Sequence, residues 1–254
     1  MRTVRAWRRW VPVLAAVAAL STTVSGCAAL RTTPFELPGA AAPGAPAAPG
    51  APVAPAATGD AATALAALPV KGRAPKTGYT RDKFGAAWTD VDHNGCDQRN
   101  DVLARDMTGE TFKPGTHDCV VLTGSLHDPY TGKNISFVRG QGTSEAVQID
   151  HVVALSDAWQ KGAQQLDPAT RTLLGNDPLN LLAVDGPTNQ SKGDGDAATW
   201  LPPTKSYRCD YVARQVAVKQ KYGLWVTAAE RDAIAGVLAG CPGEPLPPDS
   251  TIRR

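Results

Sequence analysis

The chain has 254 residues, of which 43% are apolar and 20% charged, and a formal net charge of +2. The positive excess lies at the N-terminus, because residues 70–254 hold 21 Lys and Arg against 22 Asp and Glu. A nearly neutral domain lacks the electrostatic footprint of a tight, non-specific nucleic-acid binder, although a local basic groove is compatible with it.

The first 27 residues are typical of a bacterial lipoprotein signal. Four arginines lie among the first nine residues, an apolar run follows over 11–20, and Val24-Ser25-Gly26-Cys27 closes the segment. The run is too short to be a permanent membrane span. We therefore expect export, with a lipid on Cys27 attaching the protein to the outer face of the cell membrane. Ordinary secretory cleavage without a lipid is the alternative.

Composition predicts the domain boundaries. Residues 28–69 are rich in Ala, Pro and Gly and cannot bury enough surface to offset backbone ordering, so we expect a disordered tether. Residues 70–242 have a globular composition and a length that suits one domain with its own core. Residues 243–254 are expected to form a loose tail.

The stretch from Asp90 to Asp101 mimics a calcium loop, with acids or amides at alternate positions and glycine sixth. Its last position should be Glu and is Asp101. The alternative is a polar turn ahead of a helix over 99–107. Arg99, within this stretch, could contact a phosphate or form an ordinary surface ion pair.

Four cysteines fall in the globular region, and an even number in an exported chain suggests two disulfides. We expect the pairs Cys96–Cys119 and Cys209–Cys241, because each brackets a compact segment on one side of the central region. A structural zinc site is disfavoured, because no Cys-x-x-Cys or Cys-x-x-His spacing occurs.

Two apolar runs, 119–126 and 135–139, flank the turn sequence Asp128-Pro129-Tyr130-Thr131-Gly132-Lys133 and predict a β-hairpin. Helices are predicted at 80–88, 155–163, 168–174, 207–222 and 227–238. The last of these begins with a Thr227-x-x-Glu230 capping box.

Asp150-His151 closes a β-branched run and carries the chemistry we expect. His151 could be the base that takes a proton from water, with activity that rises through an ordinary histidine pKa. Asp150 and Asn189 could supply hard oxygen ligands to a divalent ion such as Mg²⁺. Adjacent strand residues point to opposite faces, so both can serve one site only if the strand ends or bends there.

Two further side chains complete the candidate site. Asn180 opens a second apolar run, and Pro187 suits the first turn of a helix that would carry Asn189 back toward Asp150. Lys192 lies on the same helical face one turn later. It could contact phosphate, or it could be an ordinary solvated lysine.

These motifs resemble an exported HNH endonuclease family related to the C-terminal domain of GmrSD restriction enzymes. The resemblance is carried by Ile149–Leu155, Ala158–Ala163, Asn176-Asp177, Asn180-Leu181, Asn189–Asp194 and Trp200–Pro203. It implies a single α+β domain with a ββα-metal (HNH) core, besides the hairpin and flanking helices. It also implies that Asp150 and Asn189 bind the ion, His151 is the base and Asn180 orients it.

The sequence therefore predicts a metal-dependent endonuclease. Its substrate would be DNA, with RNA also considered. Its cofactor would be one divalent ion, Mg²⁺ first, with Mn²⁺ or Ca²⁺ as alternatives. Its partners would be the nucleic acid and, through the lipid, a membrane; no obligate protein partner is inferred. The alternative function is a calcium-stabilised extracellular binding module without catalysis.

Overall fold

A computed structural model describes residues 60–248 and has a mixed α+β architecture. The signal peptide, Cys27 and most of the expected tether lie outside these residues. In chain order the elements are α1 (Asp60–Ala67), α2 (Gln98–Asp106), β1 (Met107–Phe112), β2 (Val121–His127), β3 (Asn134–Val138), β4 (Val147–His151), α3 (Leu155–Gln160), α4 (Pro168–Asn176), β5 (Leu181–Asp185), α5 (Gly186–Lys192), α6 (Arg208–Lys221) and α7 (Ala228–Leu238). Short 3-10 turns lie at Arg81–Phe84, Ser144–Ala146, Ala163–Gln165 and Lys205–Tyr207.

The first helix corrects the expected domain boundary. Helix α1 lies within the segment assigned to the tether, yet Ala61, Leu65 and Leu68 are buried against α6 and α7. Their spacing of four and three residues places them on one helical face. The prolines upstream dominate the composition of the segment and concealed this short amphipathic pattern.

The C-terminal boundary also needs correction. The Glu244 carbonyl accepts a hydrogen bond of 3.0 Å from the Ala61 amide, and Leu246 packs against the core. The chain therefore stays attached to the domain beyond Pro242. Helix α7 begins with the predicted capping box, in which Thr227 and Glu230 bond reciprocally.

The predicted hairpin is two strands of a three-stranded antiparallel sheet with the order β1-β2-β3. Strand β1 was not predicted, because its sequence MTGETF contains a glycine and few apolar residues. Its pairing with β2 is irregular, with register shifts after Thr108 and Thr111. A three-stranded sheet with an apolar face is more stable than an isolated hairpin, and here that face packs on α2 and β5.

The second sheet holds the candidate site. Strands β4 and β5 pair antiparallel, with His151 opposite Leu181. Strand β5 buries both faces, since Leu181 and Ala183 face the three-stranded sheet while Leu182 and Val184 face α1, α6 and α7. Helix α5 follows β5 directly, capped by Asp185 and carrying Pro187 in its first turn. The result is a ββα unit between two core layers.

A buried ionic network fixes the segment after α5. The Lys161 ammonium lies 2.8 Å from Asp157, 2.7 Å from Asp196 and 2.6 Å from Glu230. Lys219 adds a contact of 3.0 Å to Glu230. Mutual pairing offsets the desolvation of these charges, and the network links α3, α6 and α7 to the segment that follows α5.

Both predicted disulfides are confirmed. Cys96 and Cys119 join the start of α2 to the segment before β2, with Cα atoms 5.2 Å apart. Cys209 and Cys241 join α6 to the segment after α7, with Cα atoms 6.2 Å apart. Each bridge closes a loop whose ends must stay together, which limits the freedom of the unfolded chain.

If α1 is part of the folded core, Leu65→Ala should lower the free energy of unfolding by about 2–5 kcal/mol, the usual loss for a buried leucine. Thr63 lies on the exposed side of the same helix. Thr63→Ala should therefore change stability by less than about 0.5 kcal/mol. Urea denaturation measures the free energy of unfolding of both variants. Equal values would mean that α1 belongs to the tether and not to the folded core.

Candidate active site

A cavity of about 560 Å³ opens where β4 ends. Its lining brings together four residues predicted from the sequence: Asp150, His151, Asn189 and Arg99. The other two, Asn180 and Lys192, are buried and do not line this cavity. Residues separated by up to 90 positions thus converge on one polar depression.

The end of β4 explains how Asp150 and His151, which are adjacent, face the same cavity. The strand stops at His151, and the chain turns through Val152 and Val153. The Asn180 side chain holds this turn, because its Oδ1 accepts from the Val153 amide at 2.8 Å. Its Nδ2 donates to the carbonyls of Val153 at 3.3 Å and Leu174 at 3.4 Å.

The His151 ring is held in one tautomer. Its Nε2 lies 2.8 Å from the Gly175 carbonyl oxygen, which can only accept, so Nε2 carries the proton. Nδ1 therefore keeps its lone pair and has no hydrogen-bond partner within residues 60–248. Burial is the main cause that lowers the pKa of His151 from 6.5 to about 3, and Arg81 and Lys192 lower it further. The ring is a neutral base, and the ordinary histidine pKa expected from the sequence is wrong for the free protein.

The Asp150 carboxylate has two buried partners. Its Oδ1 accepts from the Lys192 ammonium at 2.9 Å, and its Oδ2 accepts from the Tyr130 hydroxyl at 2.6 Å. Desolvation raises the pKa of Asp150, and both partners act in the opposite direction. Tyr130 is itself fully buried, and its pKa is raised well above the usual value, so it remains a donor.

Tyr130 is a site residue that the sequence did not reveal. It lies in the turn between β2 and β3, and every residue of this segment was explained from the sequence as part of a turn. Asp128 fixes that turn on the ββα unit by accepting from the Asp185 amide at 3.0 Å. The Asp-Pro-Tyr sequence is an ordinary turn signal, so only the tertiary contact identifies the role of Tyr130.

The position of Lys192 differs from the expectation of a phosphate contact. Its side chain is fully buried, and the ammonium also donates to the His151 carbonyl at 2.8 Å. Lys192 is on the same helix as Asn189, as predicted, but its ammonium points toward Asp150 rather than toward solvent. In this arrangement it neutralises Asp150 and cannot reach a phosphate.

Asn189 and Asp150 are the oxygen donors available to a metal ion. The Asn189 amide nitrogen donates to Gln148 Oε1 at 2.9 Å, so its Oδ1 remains an available acceptor. One carboxylate and one amide oxygen suit Mg²⁺, which usually keeps several waters and takes substrate phosphate oxygens. An ion at Asp150 would have to compete with Lys192 for Oδ1. Residues 60–248 contain no group of three His, Cys, Asp or Glu side chains suited to a metal.

Three cationic side chains border the cavity. Arg99 is half-buried and has no hydrogen bond or ion pair to a side chain or carbonyl in the described part of the chain, and burial lowers its pKa. Arg81 lies in a 3-10 turn that ends at Gly85, where the sequence predicted a longer helix at 80–88. It was not predicted as a site residue, yet it lines the cavity. Lys76 is partly neutralised by Asp194, at 3.1 Å. Arg81 likewise forms no hydrogen bond or ion pair through its side chain among the described residues, so Arg99 and Arg81 are the cations available to an anion.

The calcium-like stretch forms a polar turn before α2. Asp90 accepts from the backbone amides of Asn94 and Gly95, and the Asn94 amide group lies between Asp92 and Asp101. Helix α2 then begins at Gln98 with Asp97 as its cap. These contacts explain the Asp and Asn pattern as turn and capping chemistry and place Arg99 beside the cavity.

An Asp-His pair at the end of β4, with an asparagine on the helix that follows β5, is compatible with the HNH arrangement. Comparison with known families supports a relation to nucleases. Residues 97–237 match the family described as GmrSD restriction endonucleases, C-terminal domain, and the chain belongs to this family.

One relative is 37% identical over 183 residues, which cover 71% of this chain and 84% of the relative. It is an uncharacterized secreted protein of Arthroderma benhamiae. No solved structure is significantly similar to the chain.

The buried ion pair between Asp150 and Lys192 predicts how substitutions of its members change stability. Lys192→Met leaves the Asp150 carboxylate buried without its cation, so the free energy of unfolding should fall by about 3–5 kcal/mol. Adding Asp150→Asn removes the unpaired charge and should restore part of that loss. Lys113 is exposed and serves as the matched control for Lys→Met. Chemical denaturation without added metal makes the comparison, and equal losses at Lys192 and Lys113 would contradict the assigned pairing.

Proposed function

We propose that this protein is an HNH-type endonuclease that hydrolyses phosphodiester bonds, with DNA as the favoured substrate and RNA as a second one. The observation that carries the proposal is the tautomer of His151. A neutral imidazole with an unpaired Nδ1 lies in the same cavity as an acidic residue, an amide oxygen and an arginine without an acceptor. Family membership supports a nuclease-related function.

In the proposed mechanism Nδ1 of His151 takes a proton from the attacking water. The Gly175 carbonyl keeps the ring oriented and stabilises the imidazolium that forms. Arg99, aided by Arg81, binds the phosphate through charge-assisted hydrogen bonds. Asn180 acts as a positioning residue, since it holds the turn after His151.

Asp150 and Asn189 would hold the divalent ion, Mg²⁺ first and Mn²⁺ or Ca²⁺ as alternatives. When bound, the ion would offset the charge that grows on the phosphate. Lys192 keeps Asp150 compensated when no ion is present. The same ammonium contacts the His151 carbonyl, so it also helps to fix the strand end.

We further propose that the protein is exported, with Cys27 as the lipid attachment site. The N-terminal sequence pattern supports both export and the lipid, and the name of the secreted relative supports export alone. No helix within residues 60–248 is long and apolar enough to cross a membrane. An anchor of the proposed kind would present the active site outside the cell.

Loss of the base should abolish cleavage without unfolding the protein. His151→Ala should lower plasmid nicking by about 10²–10⁴-fold, the usual contribution of a general base. His127 is exposed and outside the cavity, so His127→Ala is the matched control and should retain activity. Full activity in a folded His151→Ala protein would reject the mechanism. A wild-type protein that binds calcium but cleaves no nucleic acid would favour the binding module instead.

The low pKa of His151 predicts the pH profile. Because the ring stays neutral down to about pH 3, protonation of His151 should not reduce the cleavage rate between pH 8 and pH 5. The folded pKa lies below the unfolded value, so stability present above about pH 6.5 is lost as the pH falls toward about 3. Rates are therefore compared only where circular dichroism reports a folded protein. A tenfold fall centred near pH 6.5 would contradict the assigned protonation state.

The two asparagines should respond differently to metal. Asn189→Ala removes a candidate ligand, so activity should fall at low Mg²⁺ and partly return at high Mg²⁺ by mass action. Asn180→Ala frees the turn at Val153, so thermal stability and turnover should both fall, and added Mg²⁺ should restore neither. Initial nicking rates across a Mg²⁺ titration measure both. Rescue of Asn180→Ala but not of Asn189→Ala would reverse the two roles.

A further inference from the structure

A second cavity, of about 340 Å³, lies against His151. It shares Arg81, Trp88, His151 and Leu155 with the candidate active site. Phe84 lines only the second cavity, and with Trp88 and Leu155 it makes the lining largely apolar. A concave, mostly apolar cavity of this size with few polar groups is typical of a binding site for a small ring system.

A residue that lines the second cavity has an unsatisfied polar atom. Asn176 lines it and is 1% exposed, and its Nδ2 donates to the carbonyls of Ala86 at 3.3 Å and Thr172 at 3.0 Å. Its Oδ1 is buried and has no hydrogen-bond partner among the described residues. A buried acceptor without a partner is unfavourable, so the cavity is suited to a ligand that brings an N–H donor.

Trp88 forms an aromatic wall beside the base. Its indole plane is within 15° of the His151 imidazole, and the ring centroids are 6.5 Å apart. The Trp88 backbone has a φ of 64°, a left-handed conformation that is unusual for a bulky residue. Such conformations concentrate at functional sites, where the surrounding structure maintains them.

The charges of the two cavities differ. Lys76 and Arg99 line only the active-site cavity, whereas Asp82 lines only the second one. Asp150 and Asp194 also line only the active-site cavity, but they are paired with Lys192 and Lys76, so Arg99 stays uncompensated there. Arg81 lies at the junction and lines both. A phosphate is therefore favoured in the first cavity, and an uncharged ring with N–H donors is favoured in the second.

We propose that the second cavity binds an unstacked nucleobase next to the scissile phosphate, which makes single-stranded nucleic acid the preferred substrate. This inference rests on the proposed nuclease function. A base inside a duplex is paired and stacked and must be extruded to enter such a cavity, whereas a base in a single strand enters more readily. Stacking on Trp88 and a hydrogen bond to Asn176 Oδ1 hold the base while Arg81 contacts the adjoining phosphate.

The test uses one labelled oligonucleotide as a single strand, as a duplex, and as single strands with one abasic residue at each position around the cleavage site. For the wild-type protein, kcat/KM should be higher for the single strand than for the duplex. One abasic position next to the cleaved bond should lower kcat/KM by roughly 5- to 150-fold, the range measured for loss of one base–aromatic contact.

Two variants complete the test. Trp88→Ala should lower kcat/KM for the intact strand by a similar factor, and the abasic residue should then cause no further fall. Trp88→Phe should retain most of the wild-type kcat/KM and most of its sensitivity to the abasic residue. If Trp88→Ala does not fold, Trp88→Phe and the abasic series still decide the matter. Equal rates at every abasic position, or an undiminished abasic effect in Trp88→Ala, would overturn the proposal.

A wild-type protein that cleaves no nucleic acid would reject the proposed function separately. The base site is then tested by fluorescence anisotropy with the same strands. Tighter binding of the intact strand than of one abasic strand, with the difference lost in Trp88→Ala, supports the site. Equal affinity for all the strands overturns it.

Discussion

The hydrogen bond from His151 Nε2 to the Gly175 carbonyl is the contact on which the proposed chemistry depends. It fixes the proton on one nitrogen and leaves the other as a base. The acceptor lies at the end of α4, where Gly175 packs so closely on Phe84 that a Cβ would lie 3.0 Å from the Phe84 carbonyl oxygen. A larger residue at position 175 would require α4 and Phe84 to separate by a few tenths of an ångström, next to the carbonyl that sets the tautomer.

The same region must also stabilise a buried carboxylate. Asp150 receives a proton donor from the β2–β3 turn through Tyr130 and a cation from α5 through Lys192. Three separate parts of the chain thus meet at Asp150, and the two partners, Tyr130 and Lys192, compensate for the water that its carboxylate loses on burial. This local compensation explains how a domain with nearly balanced overall charge can hold a concentrated polar site.

Local sequence patterns predicted much of the fold. The Asp-His strand end, Pro187 at the start of α5, the capping box of α7 and both disulfides follow from spacing and chemistry that act within a few residues or a single loop. Strand β1 and helix α1 escaped prediction, because their stability comes from partners distant in the sequence. The site divides in the same way: Asp150, His151, Asn189 and Arg99 converge as expected, whereas the roles of Tyr130 and Gly175 depend on tertiary contacts that no local pattern contains.

The protonation state of His151 tests the central claim most directly. The protein has four histidines, and the signal that is missing from the spectrum of His151→Ala is the signal of His151. In ¹⁵N-labelled protein, long-range ¹H–¹⁵N correlation spectra should show His151 as the neutral tautomer with Nε2 protonated, unchanged from pH 8 to pH 5. A proton on Nδ1, or an imidazolium formed with a pKa near 6.5, would contradict the account.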